Sequence, residues 1–141
     1  MRNKWLDLER GGWGWHHVRS NCANSAQLKE KLVMLVMIAG PVSAESDKLR
    51  MENTAKLNRV AAEVLKLGHI PLVGVNAAVP VVEEAGVADK YETTMTICEA
   101  LAERCDAILL IGESRGACRE RDVLQRCGRP VFHDLNELPP S

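Results

Sequence analysis

In the run Ser114-Arg115-Gly116-Ala117-Cys118-Arg119-Glu120, a hydroxyl, a glycine and a carboxylate stand at spacings that one helix would bring together. A helical wheel over residues 116–127 puts Gly116, Ala117, Glu120, Val123, Leu124 and Cys127 on one side. Arg119, Arg121, Asp122, Gln125 and Arg126 fall on the other. Glu120 is the only charged residue on the apolar side. An ionised carboxylate turned toward a core is costly unless it is paired or opens on a polar cleft. Two readings are therefore open. In one, Glu120 is structural, a buried salt bridge or a boundary residue whose head reaches solvent. In the other it is a working carboxylate, able to attack a carbon or to trade a proton. Ser114 has a ready role as helix N-cap, and that role is compatible with binding an anion, since both use the same helix end.

Other polar residues carry weaker signals. Asn58 falls on the Met51, Thr54, Ala61, Leu65 face of a long helical segment, where it either hydrogen-bonds a loop backbone or helps shape a site. The loop Ala39-Gly40-Pro41-Val42-Ser43 lacks GxGxxG and the chain lacks GxxxxGK(S/T), so neither a dinucleotide fingerprint nor a P-loop is indicated. His69 and His133 stand at strand edges outside any Ser-His-Asp context and read as structural. The five cysteines are odd in number and include no CxxC pair, which argues against a disulfide framework or zinc knuckle and for reduced thiols in a cytoplasmic protein. No metal and no cofactor is expected.

The elements that must position these groups follow from periodicity. Leu32-Val33-Met34-Leu35-Val36-Met37-Ile38 is a continuous apolar run ending at Ala39-Gly40-Pro41, the pattern of a strand buried on both faces. Residues 47–67 repeat apolar positions at helical spacing, with Ser46 or Asp47 as N-cap and Gly68 as stop. Ile70-Pro71-Leu72-Val73 reads as a second strand. Residues 74–90, with Pro80 and Gly86, read as a long loop with one helical turn, and loops of that length tend to be functional. A helix over 93–104, a buried strand over 106–112, the Glu120 helix over 116–127 and a last strand at Pro130-Val131-Phe132 complete the order.

Strands alternating with helices predict a parallel sheet with right-handed crossovers. In such a sheet ligands bind outside the carboxyl ends of the strands. The loops 40–46 and 113–116 both lie there, and each opens a helix whose free N–H groups favour phosphate or carboxylate. They frame one site.

These motifs together resemble the nucleoside 2-deoxyribosyltransferase superfamily over about residues 32–132. The match rests on Ala39-Gly40-Pro41-Val42-Ser43-Ala44 after a strand, the long helix with Asn58, Leu67-Gly68-His69-Ile70-Pro71, Cys105-Asp106-Ala107-Ile108-Leu109-Leu110, and Ser114-x-Gly116-x-x-x-Glu120. It is nearest to short bacterial and phage-associated members whose function is often unassigned. The resemblance implies a three-layer α/β/α sandwich with a mainly parallel, flavodoxin/Rossmann-like sheet. It also implies that Glu120 attacks the anomeric carbon of a nucleoside to give a covalent glycosyl-enzyme, resolved by water or by another base. Gly40, Pro41, Ser43, Asn58, Ser114 and Gly116 would bind substrate. Serine at position 114 is shared with deoxynucleoside 5′-monophosphate N-hydrolases, where it helps hold phosphate; transferases often carry Asp. Where many relatives have an aromatic residue after Gly-Pro, this chain has Val42. The usual acid before the Asp106 strand has no plain match, Cys98 lying near that register and Glu99, the candidate general acid, one residue on.

The expected function is thus N-glycosidic bond chemistry on a nucleoside or nucleoside 5′-monophosphate. The alternative is a nucleotide-binding or sensing module that keeps the fold without turnover. Relatives often share sites across subunits, so a homo-oligomer is expected. A formal charge of −1 suggests no nucleic-acid or membrane partner. No apolar run reaches the roughly 20 residues of a membrane span. Residues 1–30 hold all three tryptophans beside Gly11, Gly12, Gly14, His16 and His17 without sustained periodicity. They read as an irregular or disordered extension to a single domain over residues 31–141, and the adjacent histidines lack ligands at metal spacing.

Overall fold

The computed structural model describes residues 32–141, and the predicted extension over 1–30 lies outside the described residues. Strand β1 (Leu35–Ala39) leads to helix α1 (Asp47–Lys66), strand β2 (Ile70–Leu72) and helices α2 (Gly74–Ala85) and α3 (Lys90–Ala102). Strand β3 (Ala107–Leu110), helix α4 (Arg115–Arg126) and strand β4 (Val131–Phe132) follow. The four strands form one parallel sheet in the order β2-β1-β3-β4.

The continuous apolar run of β1 is explained by the two layers it feeds. Val36 and Ile38 pack with Leu57, Ala61 and Val64 of α1 on one face. Met37 and Ala39 pack with Ala102 of α3 and with Ala117, Val123 and Leu124 of α4 on the other. Alternate side chains along a strand point to opposite faces, so a strand covered on both sides has no polar position to spare. The result is a three-layer α/β/α sandwich with a Rossmann-like sheet. Asp106 pins β1 to β3 before either strand is fully under way: its Oδ2 accepts from Leu35 N at 2.8 Å, and its own N–H donates to Leu35 O at 2.8 Å. Buried His69 ties down the chain end, with Nδ1 accepting from Met34 N at 3.2 Å and Nε2 lying 2.5 Å from Pro139 O. Among the described residues no helix is long and apolar enough to cross a membrane.

Three expectations need correction. Residues 74–90 are no long loop: α2 occupies Gly74–Ala85 despite Pro80, and closes on left-handed Gly86 at φ 60°. An interior proline costs a helix about 3 kcal/mol. Here Gly74, Ala78 and Val82, spaced by four, are buried, and Ala78 joins Met95 and Cys98 of α3 in a common apolar cluster. Tertiary burial outweighs the lost bond. Helix α3 also begins earlier than residue 93, because Asp89 caps it, accepting from Glu92 N at 3.0 Å. The buried stripe of α1 is Leu57, Ala61 and Val64, with Met51 73% and Leu65 61% exposed. Asn58, about 100° round the helix from Leu57, therefore faces outward.

Candidate active site

After β1 the chain turns back to one face of the sheet through α1, and after β3 it turns to the other face through α4. A crevice opens where neighbouring strands send their helices in opposite directions, outside the strands' carboxyl ends. Its floor depends on two close approaches. A Cβ on Gly40 would lie 2.8 Å from Ile111 Cγ1, and one on Gly112 would lie 2.9 Å from Pro41 Cδ. Pro41 thus packs the two strand-end loops together and does not line the cleft as expected.

Ser114 caps α4 from an extended conformation, its Oγ accepting from Ala117 N at 3.1 Å. Gly116, in the first turn, lets α4 approach α3: a Cβ there would stand 3.2 Å from Met95 Sδ. One turn later Glu120 emerges on the same face, only 7% exposed. Burial is the main reason its carboxyl is pushed up from 4.5 to about 7, with the charge of Glu99 adding to it and a hydrogen bond from the Cys98 thiol opposing it. Cys98 is itself wholly buried. Burial first, then the neighbouring Glu120 charge, pushes its thiol up to about 12, which keeps it a neutral donor. Gly74, at the start of α2, completes the enclosure: a Cβ at this position would meet Cys98 Sγ at 3.0 Å and Glu120 Oε1 at 3.1 Å. Three helices converge on one carboxylate.

The cleft encloses about 410 Å³, within the range of small-molecule sites. Gly40, Ser43, Ser114, Gly116 and Glu120, anticipated from sequence, line it together. Asn58 does not. Its Oδ1 accepts from Asn76 Nδ2 at 2.6 Å, and it borders a neighbouring hollow between α1 and α2. Glu99, the candidate acid, also stays outside the lining, where its Oε1 accepts from Arg119 Nε at 2.7 Å. The reason is angular: Cys98 and Glu99 are neighbours on α3, and when Cys98 points inward Glu99 is turned about 100° away.

Several lining residues were not among the expected substrate contacts. Arg50, Lys90 and Arg115 bring cationic heads to the rim, each also near a carboxylate: Arg50 near Asp47, Lys90 at 2.7 Å from Glu83, Arg115 at 3.7 Å from Glu92. Tyr91 lies on the cleft wall. The Arg115 guanidinium carbon sits 4.9 Å and that of Arg119 5.8 Å from the centre of its ring, close enough for cation–π attraction. Its hydroxyl oxygen is buried and has no hydrogen-bond partner among the described residues. Such a hydroxyl costs roughly 1–3 kcal/mol. The overlooked signal was Asp89-x-x-Glu92, a helix-start pattern. It would have brought Tyr91 into the stripe Tyr91, Met95, Cys98, Ala102.

Among the described residues no group of three or more His, Cys, Asp or Glu side chains is placed to hold a metal ion. A family model described as "Domain of unknown function (DUF4406)" matches residues 34–133, from the start of the sheet to its last strand and well over half of the chain. No curated protein and no solved structure matches.

Proposed function

The chain belongs to this family of unknown function, and from that footing we propose that its cleft binds a nucleoside or nucleoside 5′-monophosphate and breaks the N-glycosidic bond. The observation that carries this reading is Glu120, a buried carboxylate on a rigid helix, facing a ligand-sized crevice at the sheet's switch point. The likeness of its motifs to the nucleoside 2-deoxyribosyltransferase superfamily supports it.

In the proposed reaction a Glu120 oxygen attacks the anomeric carbon. The glycosidic bond breaks, and its electron pair leaves with the base nitrogen, which takes up a proton. Water or the nitrogen of a second base then attacks the same carbon and releases Glu120. Ser114 and the first turn of α4 suit a 5′-phosphate, which the helix dipole and Arg115 would favour. Gly40 and Ser43 form the facing wall. The protein is further expected to work as a homo-oligomer, which light scattering would test.

One observation favours the second reading, a nucleotide-binding module without turnover: Glu99 is engaged by Arg119 and leaves the proton donor unassigned. Incubating the protein with nucleosides and 5′-monophosphates and following free base by chromatography separates the two. Binding without release supports the module.

Two further results are expected. A nucleophile must be ionised, and the Glu120 carboxyl is pushed up to about 7. Hence kcat/KM should rise about tenfold per pH unit below 7 and level off above it. A profile that instead falls through 7 would make Glu120 a proton donor. Second, Gly74→Ala inserts a methyl 3.1 Å from Glu120 Oε1 and should displace the carboxylate by a few tenths of an ångström. Turnover should drop about tenfold while far-UV circular dichroism is unchanged. Full activity in Gly74→Ala would show that the position of Glu120 is not critical.

A further inference from the structure

We propose that the Tyr91 hydroxyl is a substrate contact of the Glu120 cleft, donating a hydrogen bond to an acceptor atom of the bound nucleoside or nucleotide. The inference rests on the reading of the cleft given above. Tyr91 lines the same cavity as Glu120, and its oxygen is the buried side-chain polar atom without a partner among the described residues. Buried hydroxyls nearly always find a partner, and one that has none calls for an explanation; on the wall of a ligand-sized cavity, a bound ligand supplies it.

The ring is braced by two guanidinium groups, that of Arg115 on the cavity lining and that of Arg119 outside it. Arg115 and Arg119 lie 4.9 and 5.8 Å from its centre. Arg119 is in turn fixed by Glu99 at 2.7 Å and Glu92 at 2.9 Å. This gives Glu99 a role from outside the cleft, as an anchor of the tyrosine's support. Two cations against the ring also favour the phenol as donor over acceptor.

The hydroxyl lies beside the turn of α4 that precedes Glu120. A Cβ on Gly116 would lie 3.9 Å from Tyr91 Oη, and Gly116 precedes Glu120 by one turn on the same face, a rise of about 6 Å. A nucleoside with its anomeric carbon at Glu120 spans that distance. Tyr91 is the chain's single tyrosine, so its substitution removes the only phenol.

The test pairs stability with affinity. Unfolding midpoints are compared for wild type and Tyr91→Phe. Calorimetric titration with the common deoxynucleosides and their 5′-monophosphates is run in the Glu120→Gln background, which holds ligand unreacted, with and without Tyr91→Phe. The expected result is an unfolding midpoint equal to or above that of wild type, with binding weakened at least about tenfold. Undiminished binding in the double variant overturns the contact alone. A midpoint lowered by several degrees overturns it too, because the hydroxyl would then have a structural partner. If neither wild type nor Glu120→Gln binds any member of the panel, the nucleotide reading fails and this contact with it.

Discussion

Glu120→Gln should abolish base release, with a loss in kcat of at least about 1000-fold and little change in KM. Glutamine matches glutamate in shape and can still accept a hydrogen bond from Cys98, so the cleft should keep its form and its affinity. What it lacks is the anionic oxygen that, in the proposed reaction, would form the bond to carbon. Removing a nucleophile takes away an interaction made only on the way to the transition state, which lowers kcat and kcat/KM together. Glu120→Asp makes the complementary point, since it keeps the charge but retracts it by one methylene. A misplacement of about 1 Å costs on the order of 100-fold, so aspartate should fall between wild type and glutamine. The glycosyl-enzyme should be visible as added protein mass after quenching wild type and absent from Glu120→Gln. Release that survives in Glu120→Gln would remove the nucleophile assignment. Ligand binding with no release in either protein would support the binding module.

The same substitution should make the protein more stable at pH 8, by about 3 kcal/mol, the free energy corresponding to a carboxyl moved from 4.5 to about 7 by folding. The direction follows from proton uptake. The folded protein holds the Glu120 proton more tightly than the unfolded chain, so protonation favours the fold. That contribution is fully present below about 4.5 and is lost as pH rises through about 7. Above 7 a charge must be kept in a buried site, and glutamine removes that cost. The gain should appear as a rise in Tm on the order of 10 °C at pH 8 and vanish by pH 4, where glutamate is protonated in both states. This experiment separates the two meanings of a buried carboxylate. If Glu120 were satisfied by a structural ion pair, Glu120→Gln would destabilise by breaking the pair. A Glu120→Gln protein no more stable than wild type at pH 8 would therefore return Glu120 to the structural reading. Stabilisation coupled to loss of turnover is the behaviour of a group kept for chemistry.

The layers of this molecule are legible in its sequence because burial on both faces leaves an unmistakable local mark. The apolar runs that became β1 and β3, and the wheel that set Glu120 against Ala117, Val123 and Leu124, need only the periods of strand and helix. Glycine at 68 and serine at 114 mark the ends of helices for equally local reasons. Where a decision depended on a partner element, local pattern was insufficient. Pro80 marked residues 74–90 as irregular, but packing of Ala78 on Met95 and Cys98 made them a helix. Asn58 and Leu57 are adjacent in sequence, and only the placement of α1 on the sheet determined which of them is buried.

The candidate site divides along the same line. Sequence by itself determined that Glu120 would lie on an apolar face behind Ser114 and Gly116, since all three belong to one helix and its period relates them. It also placed the loops after β1 and β3 at the same edge, because a parallel sheet gathers its strand ends on one side; that they meet follows from the pairing of β1 with β3. The enclosure of Glu120 was decided only in three dimensions. Gly74, Tyr91 and Cys98 reach it from two other helices, at separations fixed by packing rather than by any spacing in the chain. The carboxylate's two readings, structural or working, differ in what surrounds it. Burial raises its pKa, no cation is paired with it among the described residues, and its face opens on a cavity. Those are properties of neighbours, and a helical period carries no record of them.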